Sequence, residues 1–224
     1  MLELFKAGGL LMFPLFICLV LAMAIIAERF WSLQAKRISP PDLLTQIWQW
    51  LRYKQVDDNR IKAMRNNSPL GQILAAGLVH RDCTRDITKE GIEDVGRHVT
   101  LELERNLNTL GTIAAVSPLL GLLGTVIGMI KVFAVITAQG VGNPETLAGG
   151  ISEALITTAA GLVIAIPSLI FYRYFRGKIN ILVVDMEEQA MKLIEILHGQ
   201  RSFDLDEGMI QTDQAHDVNR VTEK

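Results

Sequence analysis

Two short stretches hold polar side chains whose chemistry needs explaining, because apolar sequence surrounds both. Gly121-Leu-Leu-Gly124-Thr125-Val-Ile-Gly128 sets one threonine among three glycines. Gly150-Ile-Ser-Glu153-Ala-Leu-Ile-Thr157-Thr158-Ala-Ala-Gly161 sets a carboxylate shortly before two adjacent threonines. Glycines at 121, 124, 128 and 161 have the small-residue spacing that lets membrane helices approach closely, so packing explains them without any transport role. Thr125 has two readings: a hydroxyl bonded to its own backbone one turn back, or a hydroxyl on an ion path. Glu153 also has two. It is either a wetted interface residue or helix-start charge favoured by the macrodipole, or a pore-lining or partner-facing acid. Hydroxyls and a carboxylate can hydrate a narrow channel that aliphatic helices would keep dry. On an ideal helix Glu153 and Thr157 share a face while Thr158 lies roughly 140° around from Glu153, so the two threonines are not expected to line one seam. Glu145 reads as a solvated loop carboxylate with no role.

Other chemistries find no residues. Glycine-rich phosphate loops and metal-spaced His/Cys clusters are missing, and the histidines are scattered at 80, 98, 198 and 216. No cofactor or metal is therefore expected, and no enzyme activity. The 22 basic and 24 acidic residues interleave, which excludes the concentrated basic surface of a nucleic-acid binder. Cys18 lies in an apolar run and Cys83 in a polar one, so a disulfide is not expected.

Three uncharged windows must position these side chains: 7–27, 106–130 and 154–172, each near the ~20 residues a helix needs to cross hydrocarbon. Unpaired backbone is not tolerated in lipid, so each window must be helical, and Pro14, Pro118 and Pro167 become local weaknesses, the last two as kinks in spans two and three. The first window ends in Glu28, Arg29, Phe30 and Trp31, an interface flank and not a small-residue cleavage site, so it reads as a retained anchor. Basic residues fall beside one end of each span: Arg29, Lys36 and Arg37; Arg97 and Arg105; Arg173, Arg176 and Lys178. The other side has only Lys6 and Lys131. The positive-inside rule then makes the N-terminus periplasmic and the C-terminus cytoplasmic.

Helical periodicity continues beyond the spans. Ile92, Val95, Val99, Leu103 and Leu107 predict one continuous helix entering span two, and Ile179, Leu182, Val183, Met186, Ala190, Leu193 and Leu197 extend span three as far as His198-Gly199. Pro40-Pro41 starts a short amphipathic helix, and the run 66–69 breaks the chain again. The expectation is an all-α integral membrane protein with three transmembrane helices and long cytoplasmic helical extensions. Its parts are 1–30, a periplasmic start and first span; 31–105, a cytoplasmic helical domain; 106–172, spans two and three with a short hairpin; 173–201, a cytoplasmic helix; and 202–224, a mobile polar tail.

The two glycine-rich stretches, the second continuing through Leu-Val-Ile-Ala-Ile-Pro167, resemble the ExbB/TolQ/MotA proton-channel family, and the layout of nearly the whole chain fits. The flagellar MotA branch has four spans, so three spans resemble the ExbB/TolQ branch, ExbB most of all. The resemblance implies a pentamer of this chain in the bacterial inner membrane around two single-span ExbD/TolR-type subunits. Protons passing to an aspartate on those partners would drive rotation transmitted by TonB or TolA. It matches Thr125, Glu153 and Thr158 to the family's polar positions. Thr157 departs from the alanine of many relatives, and Ile127 from a tryptophan of some. No Asp occurs in the three windows, in keeping with a titrating group supplied by a partner. A TolQ-like role in outer-membrane constriction at division is the nearest alternative, and a passive membrane scaffold is an alternative of another class.

Overall fold

In this computed structural model residues 9–53, 56–140 and 144–199 are described; Lys6, the side chain of Glu145 and the tail over 202–224 lie outside them. Among the described residues the chain forms eight helices and no strand: α1 (Met12–Ser32), α2 (Ala35–Ile38), α3 (Leu43–Arg52), α4 (Asp58–Asn67), α5 (Pro69–Val79), α6 (Arg85–Glu104), α7 (Leu107–Gln139) and α8 (Pro144–Leu197). Three helical stretches, containing α1, α7 and the first part of α8, are long and apolar enough to cross a membrane. The all-α membrane architecture read from the sequence is therefore the one observed.

Residues 9–40 and 97–185 form one compact unit. Within it α7 and α8 are antiparallel: Gly111 faces Tyr172, Gly121 faces Thr158 and Gly161, Gly124 faces Thr157, and Gly128 faces Ala154 and Gly150. The backbones nearly touch there. A Cβ on Gly124 would meet Thr157 Cβ at 2.6 Å, one on Gly128 would meet Ala154 Cβ at 2.8 Å, and one on Gly161 would meet the Ser117 carbonyl oxygen at 2.6 Å. Glycine is the residue that permits this approach, and in lipid such short-range packing is what joins helices.

Pro118 and Pro167 sit inside helices that continue on both sides. Beside them, Ser117 Oγ donates to the Ile113 carbonyl and Ser168 Oγ to the Ile164 carbonyl, both at 2.7 Å, which gives these buried hydroxyls partners where each proline removes a donor. The first span starts later than the uncharged window: α1 begins at Met12, so Pro14 falls in the first turn, where its missing N–H costs no intrahelical bond.

One continuous helix was the expectation from Ile92 to span two, and a short turn at Arg105–Asn106 interrupts it. The Arg105 N–H reaches the Glu102 carbonyl at 3.4 Å, a tightened bond over three residues, while Asn106 keeps near-helical angles. The end of α1 holds this turn. Arg29, only 4 % exposed, donates from Nη1 to the Leu103 carbonyl at 2.8 Å, and Asn106 Nδ2 donates to Glu28 Oε2 at 2.6 Å. A cation thus meets one of the orphan carbonyls ending α6, and an anion sits at the start of α7, both favoured by the helix dipoles. Phe30 of α1 packs on Phe171, Tyr174 and Phe175 of α8, with ring centroids 5.2 to 6.2 Å apart. Away from these seams, Leu119, Leu122, Phe133, Leu155, Val163, Ile166 and Ile170 are exposed apolar side chains, the surface a bilayer or a neighbouring membrane helix would cover.

The second unit comprises residues 41–96 and 186–199. Its core holds Leu43, Leu44 and Ile47 of α3, Ile61 and Met64 of α4, Leu70, Ile73, Leu74 and Leu78 of α5, and Met186, Leu193 and Ile194 of α8. The chain break expected at 66–69 is a capped helix start: Ser68 Oγ accepts from the Gly71 N–H at 3.0 Å, and Pro69 occupies the first helical position, where it loses nothing. Gly77 leaves room for Ile92 and Leu193, whose methyls would lie 2.9 Å from an added Cβ. At the far end Gly199, with φ +69°, follows α8 two residues after Leu197, close to where the sequence placed the helix end.

Gly124→Ala is expected to destabilise the protein by about 1 to 3 kcal/mol through overpacking against Thr157, and adding Thr157→Gly should recover part of that loss; thermal unfolding in detergent measures both. Ser68→Ala should cost about 1 kcal/mol and speed hydrogen exchange at the Gly71 amide, whereas Ser68→Gly should cost only a few tenths.

Candidate functional site

The polar side chains singled out in the sequence all lie in the first unit, along or beside the α7–α8 seam. Glu153 lies nine residues beyond the Pro144 start of α8. That is past the first turn, where the helix dipole acts, so the helix-start reading does not account for it. What does is an ion pair with α7: Lys131 Nζ stands 2.7 Å from Glu153 Oε1. The carboxylate is the more enclosed partner, its side chain 24 % exposed against 54 % for Lys131. The same carboxyl group lies against Gly9, whose φ of +66° and missing side chain leave room; a Cβ there would run into it.

Thr157 is 1 % exposed, and its hydroxyl donates to the Ala154 carbonyl at 2.8 Å, with the Glu153 carbonyl at 3.1 Å. Its bond is satisfied within its own helix, and its bulk fills the space above Gly124. Thr158 Oγ1 instead crosses the seam and donates to the Gly121 carbonyl at 2.9 Å. Both threonines therefore touch α7, contrary to the expectation from an ideal helix that they could not share a seam. The reason is the separation of the helices. With no side chains on Gly121 and Gly124, α7 comes near enough for positions 100° apart on α8 to reach it.

Thr125 Oγ1 donates to the Leu122 carbonyl at 2.6 Å, within α7. It lies one turn beyond Gly121, whose carbonyl the helix ladder assigns to the Thr125 N–H, so Thr158 and Thr125 converge on one carbonyl. Each hydroxyl that donates to a carbonyl keeps lone pairs with which to accept. Thr125, Thr158 and Glu153 are all half-buried, and so form a series of polar atoms open enough to be wetted on a surface of leucines, isoleucines and valines. Among the described residues no group of three His, Cys, Asp or Glu side chains could hold a metal ion, and Cys18 and Cys83 are free thiols.

Sequence reasoning passed over Lys131, noting it only as a basic residue at the end of a span. A signal was present. Lys131 and Glu153 are equidistant from residue 142 in the hairpin, so an antiparallel pair of helices places them at the same level. The Glu28–Arg29 clamp on the α6–α7 turn carried no such signal, because it depends on how α1 packs.

Comparison with known proteins bears on the whole seam. Residues 65–188 match the MotA/TolQ/ExbB proton channel family. An ExbB-like protein of Synechocystis is 34% identical over 178 residues, which are 76% of this chain and 82% of its own length. The biopolymer transport protein exbB1 of Vibrio cholerae is 32% identical over 177 residues, 72% of each chain. The Tol-Pal system protein TolQ of Haemophilus influenzae is 37% identical over 98 residues, 44% of this chain and 43% of its own. The family match contains Thr125, Lys131, Glu153, Thr157, Thr158 and the seam glycines 121, 124, 128, 150 and 161. With three helices able to cross a membrane and these relatives, the chain belongs to the MotA/TolQ/ExbB proton channel family, in its ExbB/TolQ branch, as a multi-pass channel subunit and not an enzyme.

Proposed function

We propose that this chain is the stator and proton-channel subunit of a bacterial inner-membrane motor that uses the proton motive force to energise TonB-dependent outer-membrane transport. The observation that carries this reading is Glu153, a half-buried carboxylate at one end of a glycine-lined helix pair, with the hydroxyls of Thr158 and Thr125 further along the same pair. Thr157, buried and bonded to its own helix, supports the seam and gives an ion little to hold. No Asp lies in the three apolar windows, so a partner supplies the central titrating group: an ExbD/TolR-type single-span subunit seated in a pentamer of this chain, with a TonB/TolA-type protein carrying the work outward. The apolar faces left open around the seam are the surfaces such an assembly and its lipid would cover. The N-terminus is periplasmic and the C-terminus cytoplasmic, following the basic flanks. One charge crossing 100 mV releases about 2.3 kcal/mol, so a few protons per cycle supply enough work to strain a distant partner.

A TolQ-like role in outer-membrane constriction at division is the second reading, favoured by the similarity to TolQ of Haemophilus influenzae. The transducer that co-purifies with the complex separates the two.

Glu153→Gln and Thr125→Ala are each expected to lower energised uptake by at least about tenfold while the complex still assembles. Uptake by intact cells and native mass spectrometry of the purified complex check the two halves of that statement. A passive scaffold predicts the reverse, and a fully assembled, fully active Thr125→Ala/Glu153→Gln double variant would establish it. Mass spectrometry is also expected to find five copies of this chain with two of a small single-span protein; a partnerless monomer or dimer would remove the motor.

A further inference from the structure

Lys131 has no part in the path just described, yet it is bonded to that path's one carboxylate. Its ammonium lies 2.7 Å from Glu153 Oε1 and comes from the other helix of the pair. Gly9 stands against that same oxygen. A cation arriving at Glu153 Oε1 therefore meets an oxygen already taken by an ammonium on a flexible four-carbon stem, and that side chain is more than half exposed. A half-exposed ion pair contributes too little to be a strong staple and opens and closes readily.

We propose that Lys131 is a positioning residue that acts as a tethered counter-ion: it occupies Glu153 Oε1 while no ion is passing and must leave before that oxygen accepts a proton. In the exchange a proton adds to a Glu153 oxygen to give the neutral acid, and the Lys131 ammonium keeps its own protons and turns to solvent. When the proton moves on, the ammonium returns. The consequence is low proton entry through the resting complex. This inference rests on the channel reading above.

The test uses the complete complex purified with its partners and reconstituted in vesicles holding a pH-sensitive dye, with proton entry followed under an imposed potassium diffusion potential. Lys131→Met is expected to raise resting entry by about threefold or more, and Lys131→Arg, which keeps the charge, to stay within about twofold of the unsubstituted complex. If the pair acts as a unit, Lys131→Met should add nothing in a Glu153→Gln background. Should Lys131→Met fail to assemble, Lys131→Gln takes its place. Unchanged entry in the charge-removing variant overturns the proposal, and so does an equal rise in the Glu153→Gln background. A lower unfolding temperature with unchanged entry would mean that the pair only fastens the hairpin. In each of these cases a complex that still energises uptake loses the counter-ion and keeps the channel. An unsubstituted complex with no potential-driven proton flux overturns both.

Discussion

Lipid tails are as apolar as leucine, so burial against a second helix gains little in a bilayer, and contact at short range has to do the joining. In this protein that contact is the approach of α7 to α8 across Gly121, Gly124, Gly128, Gly150 and Gly161. The polar contacts between these two helices depend on it. Because no side chain intervenes, Thr158 can reach a carbonyl of the neighbouring helix, Thr157 can fill the space over Gly124, and Lys131 and Glu153 can meet at a hydrogen-bond distance.

The same closeness sets the chemistry. A threonine in a membrane helix ordinarily bonds its own backbone, as Thr125 and Thr157 do. Thr158 differs because the Gly121 carbonyl is within 2.9 Å. The polar atoms thus differ in exposure: Thr157 is fully buried, Thr158 and Thr125 are half-buried, and Glu153 is half-buried and paired with Lys131. An ion path needs groups that are neither sealed nor free in solvent, and the half-buried members meet that condition.

The first span contributes position and not chemistry. Its Glu28 and Arg29 grip the turn between α6 and α7 from both sides, using the opposite ends of two helix dipoles, and Phe30 rests on the aromatic cluster of α8. A short tightened turn at the foot of α7 is thereby held by side chains instead of by continuous helix, and the hydrogen bonds holding it come from a different span.

Composition and periodicity determined the helical class, the three spans, the break at 66–69 and the end of α8 near Gly199, because each is a matter of local physics: charge exclusion from lipid, spacing of apolar residues, a run that interrupts a helix and a glycine that ends one. The glycine spacing and the identities of Thr125, Glu153, Thr157 and Thr158 were legible for the same reason. Which face each threonine presents was not, since an ideal helix wheel knows nothing of how near its neighbour lies. The partner of Glu153 and the grip of Arg29 on Leu103 join residues 22 and 74 positions apart, and only the tertiary structure decided them. Side-chain pairing across helices depends on interhelical distance and register; for Lys131 and Glu153 both follow from where glycine allows two backbones to touch, and for Arg29 they follow from how α1 packs.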